Sequence, residues 1–253
     1  MTTDFWDGVA SRIGYDFSSV KIKKAGLDPE KEFFKDLEKI LDKDKIVIDI
    51  GTADGQLPLM IANRVKRIVA VDISKIMIKK AVENLGRTNV GNVRFEVADA
   101  RHLPFPDKSF DVAISRRGPV TSNTDFLGEV YRILKSGGEF VEITIGERDK
   151  ENIKKIFGRG QNYEYLIENR REIARKKRML EDVGFEKTEL KEIDCVEYYE
   201  TMEDLIFLLE NTPIIPDFDT KKDRSRIEEI RDSLSTAMGI RTNSHRIIIY
   251  ARK

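Results

Sequence analysis

Apolar and polar positions along the chain follow two spacings that alternate, and the alternation predicts strands separated by helices. Short segments rich in apolar residues predict strands at 46–50, 67–72, 93–97, 110–115 and 139–145. Between them, apolar residues recur every three or four positions and predict helices over 56–65, 74–85 and 124–134. Strands that alternate with helices form a parallel sheet covered on both faces, so we expect a doubly wound α/β fold.

Less regular patterns precede and follow this alternation. The N-terminal part predicts a helix around residues 5–17, a polar linker, and a helix over 30–41 that begins after Asp28. The C-terminal part predicts helices over 149–157, 163–183, 203–210 and 220–238, and strands over 185–199 and 246–251. We therefore expect four parts: an N-terminal helical segment or lid (1–44), a core (45–200), a helical cap insertion (201–244) and a final core strand (245–253).

Composition narrows the class of protein. The 253 residues include 45 basic and 45 acidic side chains, so no overall positive field favours nucleic acid or an anionic membrane. No apolar stretch approaches the ~20 residues that cross a bilayer, and the acidic N-terminus lacks the apolar segment of a signal peptide. The single cysteine, Cys195, allows neither an internal disulfide nor a cysteine-based metal cluster. We expect a cytoplasmic protein without a metal site.

The end of the first core strand carries the first candidate chemistry. Residues 49–55 read Asp-Ile-Gly-Thr-Ala-Asp-Gly and directly precede a predicted helix. Glycines let the backbone approach a ligand, and the helix N-terminus offers unpaired N–H groups. A dinucleotide fingerprint would need a small residue in place of Gln56, and Asp54 would face the pyrophosphate with a like charge. A nucleotide-like ligand other than a dinucleotide fits this spacing better, and a purely structural turn is the alternative.

Two more acidic residues follow the next two predicted strands. Asp72 lies 17 residues after Gly55, at a strand end where a carboxylate can accept both ribose hydroxyls of a nucleoside. Its alternative role is a charge interaction with the N-terminus of the helix that follows Ser74. Asp99 begins the run Asp-Ala-Arg-His-Leu-Pro-Phe-Pro-Asp-Lys-Ser-Phe-Asp, which leads into the fourth core strand.

These segments, in this order and spacing, resemble the class I S-adenosylmethionine (SAM)-dependent methyltransferases. Residues 49–55 resemble the family's first motif, residues 99–111 its adenine-binding stretch, and residues 134–139 (Leu-Lys-Ser-Gly-Gly-Glu) its turn before the fifth strand. The resemblance covers roughly residues 45–145. It implies a Rossmann-like, mostly parallel seven-stranded sheet with an antiparallel last strand, a C-terminal helical cap insertion, and SAM as the cofactor.

The resemblance also implies roles for single residues. Asp49 would orient the glycine turn or the cofactor amine, Asp72 and Asp99 would bind the nucleoside, and Ile73 would pack on adenine. Ala53 stands where the family more often has glycine, and an alanine is tolerated there if its φ is negative. The implied cofactor-binding residues are Asp49, Gly51, Thr52, Ala53, Gly55, Asp72, Ile73, Asp99, Ala100 and Ser115.

The methyl acceptor is less well defined by the sequence. Methyl transfer from a sulfonium depends mainly on alignment of the nucleophile, and a base is needed only if a proton must leave. Weak catalytic candidates are Arg116, which could bind an anionic group or form a salt bridge, His245 and Glu142. The fourth strand is not followed by the Asn/Asp-Pro-Pro-aromatic motif of enzymes that methylate nucleic-acid amino groups. We therefore expect a small-molecule acceptor.

Two alternatives remain open at this stage. The basic cluster Arg175–Arg178 could contact RNA, which would make the protein an RNA methyltransferase, or it could form a solvated helix face. The protein could also bind SAM without catalysis, as a sensor or scaffold. The C-terminal half resembles a group of largely uncharacterised small methyltransferases, which implies a fold and no particular substrate.

Overall fold

The computed structural model describes residues 3–13, 17–118, 124–168 and 172–253. Its strands are β1 Ile22–Ala25, β2 Ile46–Ile50, β3 Arg67–Asp72, β4 Val93–Val97, β5 Phe110–Arg116, β6 Leu134–Ile145, β7 Lys187–Tyr199, β8 Ser235–Thr236 and β9 Gly239–Arg252. Its helices are α1 Thr3–Ile13, α2 Pro29–Ile40, α3 Gln56–Ile61, α4 Lys75–Leu85, α5 Thr124–Ile133, α6 Glu151–Phe157, α7 Tyr163–Ile167, α8 Glu172–Val183, α9 Met202–Asn211 and α10 Arg224–Leu234. Residues 14–16 and 169–171, which belong to two predicted helices, lie outside the described residues.

The described strands form one nine-stranded sheet in the order β1-β7-β9-β6-β5-β2-β3-β4, with β8 paired to β9. Strands β2 to β6 pair in parallel with one another, and β9 is antiparallel to both β6 and β7. The predicted mostly parallel sheet of seven strands with an antiparallel last strand is confirmed, and the short strands β1 and β8 enlarge it. The strand order reverses between β2 and β5, and ligands bind at the carboxyl ends of the strands at such a point.

Both faces of the sheet are buried, which explains the nearly continuous apolar runs. Ile48 and Ile50 of β2 pack in one layer with Phe126 of α5, whereas Val47 packs in the opposite layer with Phe33 of α2. Adjacent strand residues point to opposite faces, so a strand covered on both sides needs apolar residues at every position. None of the described helices is long and apolar enough to span a membrane.

The strands β7 and β9 continue beyond the carboxyl edge of the parallel strands. The last β6–β9 pair is Ile145↔Arg246, but β7 and β9 stay paired from Asp194↔His245 to Tyr199↔Ile240. We call residues 194–199 and 240–245 the hairpin extension. Strand β1 pairs along it, and residues of α6, α9 and α10 build a third apolar core against it. The extension therefore carries the C-terminal helices to the edge where ligands bind.

The observed β9 begins earlier than predicted. Residues 239–244 were expected in the cap insertion, but they belong to β9, so the final strand is longer than 245–253 implied. Ile240, Thr242 and Ser244 are buried, while Arg241 is exposed. Threonine and serine fill inward positions here, and an apolar alternation is consequently missing from the sequence.

The predicted polar linker contains strand β1. This strand lies at the edge of the sheet, where Lys23 and Lys24 are exposed and only Ile22 is partly buried. Charged residues are typical of edge strands, because they discourage pairing with other chains. A four-residue strand with this composition carries no periodic signal.

Candidate cofactor-binding site

Three aspartates lie at or just after the carboxyl ends of three adjacent parallel strands. Asp49 lies in β2, Asp72 ends β3, and Asp99 comes two residues after β4. The strands are in register, with Ile50 opposite Val71 and Asp72 opposite Val97. The sheet therefore brings the three predicted carboxylates to one edge, beside the point where the strand order reverses.

The turn after β2 depends on its two glycines. Gly51 and Gly55 have φ values of 78° and 81°, in the left-handed region that favours glycine. A Cβ on Gly55 would lie 2.5 Å from the Phe95 ring. The N–H groups of Gly51 and Thr52 both donate to the Val71 carbonyl, at 2.9 and 3.0 Å. These contacts hold the turn tightly against the end of β3.

Ala53 does not meet the condition of a negative φ, because its φ is +48°. The Ala53 N–H donates to Asp72 Oδ2 at 2.9 Å, and this bond holds the residue in a left-handed conformation that costs an alanine more than a glycine.

Asp72 connects the turn to the next helix. Its Oδ2 accepts from Ala53 N, and its Oδ1 accepts from Ser74 N at 2.9 Å. Ser74, in turn, caps α4 by accepting from Met77 N. Burial raises the pKa of Asp72, although the Ser74 and Ala53 N–H groups oppose the rise. Each carboxylate oxygen retains a further lone pair, so ribose hydroxyls can still donate to it.

Buried oxygens near Asp49 suit a ligand that carries hydrogen-bond donors. Within the described residues, both carboxylate oxygens of Asp49 and the hydroxyls of Thr52 and Ser115 are buried without a partner at normal hydrogen-bond geometry. Burial raises the pKa of Asp49 to about 6, against the effects of the Thr52 hydroxyl and Arg116. Buried polar groups without partners are costly, and an ammonium group such as that of SAM would satisfy them.

Gly118, which the sequence reasoning did not single out, also shapes the edge. A Cβ there would lie 2.6 Å from both the Ile50 carbonyl oxygen and Ser115 Oγ, and 3.3 Å from Gly51 Cα. The chain after β5 thus packs directly against the glycine turn. A glycine just beyond a core strand was the available signal.

The adenine side of the edge combines an exposed apolar surface with a paired carboxylate. Ile73 and Val97 are 42% and 45% exposed, unusual for large apolar side chains at strand ends, and Ala100 is partly buried. Asp99 accepts from the backbone and the guanidinium of Arg101, which holds the pKa of Asp99 below its ordinary value. A flat apolar ring could cover Ile73 and Val97 with its amino group toward Asp99.

The three weak catalytic candidates lie in different surroundings. Arg116 lies 3.9 Å from a carboxylate oxygen of Glu30 and 5.9 Å from the centre of the Phe34 ring, so the salt-bridge alternative has a partner. Glu142 is fully buried in β6 and interacts electrostatically with Lys176 of α8. His245 is fully buried at the start of the hairpin extension.

The basic cluster Arg175–Arg178 is only partly available to solvent. Lys176 is 1% exposed, and Arg175 is paired with Glu172 at 2.7 Å and lies over the Tyr165 ring. Lys177 and Arg178 are the two members of the cluster that face solvent. Arg175 and Lys176, half of the cluster, are therefore engaged with other residues of the protein.

Comparisons with known proteins identify the kind of domain that contains this edge of the sheet. The family model "Methyltransferase domain" matches residues 47–138. The chain is 30% identical over 168 residues to the ubiquinone/menaquinone biosynthesis C-methyltransferase UbiE of Enterobacter sp. (strain 638), and the match covers 56% of this chain and 67% of that protein. The chain spans about two thirds of the length of such relatives.

Solved structures share the fold. The YcgJ protein of Bacillus subtilis superposes with a TM-score of 0.66 at 19% identity, over 88% of this chain and 98% of that one. The phosphoethanolamine N-methyltransferase 2 of Haemonchus contortus, in complex with SAM, gives a TM-score of 0.57 at 17% identity, over 98% of this chain and 59% of that one. From the aspartates at adjacent strand ends, the glycine turn, the matched domain and these relatives, we conclude that the chain belongs to the class I SAM-dependent methyltransferases.

Proposed function

We propose that this protein transfers the methyl group of SAM to a small-molecule acceptor at the carboxyl edge of β5 and β6. The observation that carries the proposal is the row of Asp49, Asp72 and Asp99 at three strand ends in register. A nucleoside with an amino-acid tail offers donors for such a row: ribose hydroxyls, an adenine amino group and an ammonium. SAM supplies a methyl group that is already electrophilic on its sulfonium sulfur.

The proposed role of the protein is alignment. Asp72 would bind the ribose hydroxyls and Asp49 the amine, while Gly51 and Gly55 let the backbone approach the tail. Ser115, buried and next to Gly118, would lie between the cofactor and the acceptor. Positioning a nucleophile behind a reactive methyl group is a large contribution to rate on its own.

The cofactor part of the proposal is tested by calorimetric titration with SAM, S-adenosylhomocysteine and NAD. We expect saturable binding of the first two, and a loss of at least tenfold in affinity in Asp72→Ala, about 1.4 kcal/mol. Because Asp72 also holds the turn, circular dichroism checks that Asp72→Ala is folded, and Asp107→Ala, which removes an exposed carboxylate just before β5, is the control and should bind SAM like the wild type. Binding of NAD alone, or equal SAM affinity in the wild type and Asp72→Ala, would contradict the assignment.

The acceptor is tested separately. The relatives' name describes carbon methylation in ubiquinone/menaquinone biosynthesis, so the first panel should contain hydroxylated aromatic and quinol compounds, followed by amines and thiols. The measurement is S-adenosylhomocysteine formed per enzyme. SAM binding without turnover on any of these classes would favour the non-catalytic alternative.

The RNA alternative receives no support from the basic helix, because Lys176 is buried and Arg175 is paired. The RNA alternative would be excluded if the wild type and a Lys177→Ala/Arg178→Ala variant were retained equally weakly on heparin. Strong retention of the wild type that this variant loses would support the RNA alternative.

A further inference from the structure

A second polar cluster lies at the base of the hairpin extension. His245 of β9, Glu192 of β7 and Glu147 of the loop after β6 each offer one nitrogen or oxygen atom, and these atoms all lie within 4.8 Å of one another. Glu192 Oε1 is 3.2 Å from His245 Nε2, and Glu147 Oε2 is 3.9 Å from His245 Nδ1. Three separate segments thus place two carboxylates and an imidazole in one small volume.

The imidazole is held in place by its surroundings. A Cβ on Gly146 would overlap the His245 ring, so glycine leaves the space that the ring fills. A neutral imidazole and two carboxylates are ligands that Zn²⁺ and similar divalent ions accept.

A positive charge already lies beside this cluster. Arg148 Nη2 is 3.0 Å from His245 Nε2, 3.8 Å from Glu192 Oε1 and 2.6 Å from Asp194 Oδ2. The Arg148 backbone N–H donates to His245 Nδ1 at 3.2 Å. A neutral imidazole has only one acceptor nitrogen, so it cannot accept from both groups of Arg148. The guanidinium can move away from Nε2, because it ends a long side chain that is 31% exposed. When Nε2 then binds an ion, the ring proton lies on Nδ1, which faces Glu147 Oε2 at 3.9 Å, and the Arg148 N–H gives up its bond to Nδ1.

We propose that Glu147, Glu192 and His245 form a site for a divalent transition-metal ion, such as Zn²⁺ or Mn²⁺, which displaces the guanidinium of Arg148. The ion would replace one positive charge with two, beside two carboxylates of which Glu147 is 3% and Glu192 18% exposed at the side chain. Contraction of the three ligands around the ion requires rotation of the two glutamate side chains. The site joins the parallel sheet to the hairpin extension, and the inference does not depend on the proposed methyl transfer.

The test is calorimetric titration of chelator-treated full-length protein with Zn²⁺, Mn²⁺ and Mg²⁺ at pH 7.5. We expect one equivalent of Zn²⁺ or Mn²⁺ to bind, with affinity falling as the pH is lowered and His245 becomes protonated. Glu147→Gln and Glu192→Gln, which keep the side-chain shape, should each weaken binding at least tenfold. Arg148→Gln should tighten it, because the competing guanidinium is gone.

The control is His102→Asn, which removes the other histidine, an exposed loop residue. It should leave the affinity unchanged, and circular dichroism should show that each variant is folded. The proposal would be overturned if the wild type did not bind a stoichiometric ion, if both glutamine variants bound as tightly as the wild type, or if His102→Asn lost binding. An affinity that Arg148→Gln leaves unchanged would overturn the displacement of the guanidinium.

Discussion

At the scale of single residues, Ala53 adds conformational strain to the glycine turn. Its φ of +48° is a backbone conformation suited to glycine, and its N–H donates a hydrogen bond to Asp72. We expect Ala53→Gly to raise the free energy of unfolding by up to about 1 kcal/mol, because the relief of strain exceeds the extra flexibility of the unfolded chain. Urea denaturation measures this difference. Ala98→Gly, at a position without positive φ, is the control and should destabilise the protein.

The burial of Asp49 should lower the stability of the ligand-free protein, although the same carboxylate should contribute to SAM binding. Its pKa of about 6 exceeds the ordinary value of about 3.9, so the folded state binds the proton more tightly and stability falls as the pH rises between these values. Asp49→Asn should therefore stabilise the ligand-free protein by about 3 kcal/mol at pH 7.5, and much less at pH 4.5. The same variant should weaken SAM binding.

Asp111 is the control for Asp49, because its pKa is shifted in the opposite direction. Burial raises the pKa of its carboxyl, but Lys135 and the Ile46 N–H lower it further, so its net pKa is below the ordinary value. Its stabilising contribution is present at neutral pH and is lost as the pH falls through the lowered pKa. Asp111→Asn should thus destabilise the protein at pH 7.5, and equal signs for the two variants would contradict this account.

The residues of the cofactor edge were predictable to different degrees. Asp72 was predictable because it ends an apolar run at a spacing that nucleoside sites share. The positive φ of Ala53 was not, because it results from a hydrogen bond to a side chain 19 positions away. The cluster at His245 was missed for the same reason, since Glu147 and Glu192 come from other segments and no local spacing connects them.

At the scale of elements, α8 contains neighbouring lysines with opposite roles. Lys176 is buried, lies 3.6 Å from Glu172 and interacts electrostatically with Glu142. Lys177 is half-exposed and lies 3.8 Å from Glu181. Lys176→Met would remove the positive charge beside the buried Glu142, whereas Glu172 keeps its ion pair with Arg175, and should cost about 3 kcal/mol of stability. Lys177→Met should cost less than about 0.5 kcal/mol. Equal effects in urea denaturation would contradict the difference in burial.

Elements were predictable where their faces are apolar. The buried strands β2 and β3 follow directly from their composition, because both faces pack against helices. Residues 239–244 were not recognised, since Thr242 and Ser244 occupy inward positions of a strand. Strand β1 exists only through pairing with β7, and its own sequence does not specify it.

At the scale of the whole molecule, ligand binding should protect one edge of the sheet. Hydrogen exchange with and without S-adenosylhomocysteine should slow most at residues 51–55, 72–74 and 99–101, which belong to three different segments. Residues 136–138, near the start of β6 and at the opposite end of the parallel strands, should not change. Protection spread evenly over the chain would indicate general stabilisation rather than a site at this edge.

The pairing of β1 with β7 has a consequence for how the chain folds during synthesis. Ile22 pairs with Tyr199, so β1 leaves the ribosome well before its partner strand has been made. Contacts between distant segments form late and slowly. The parallel strands β2 to β6 can assemble earlier, and β1 would stay unpaired until β7 arrives. A chaperone therefore has more time to bind β1 than to bind the parallel strands.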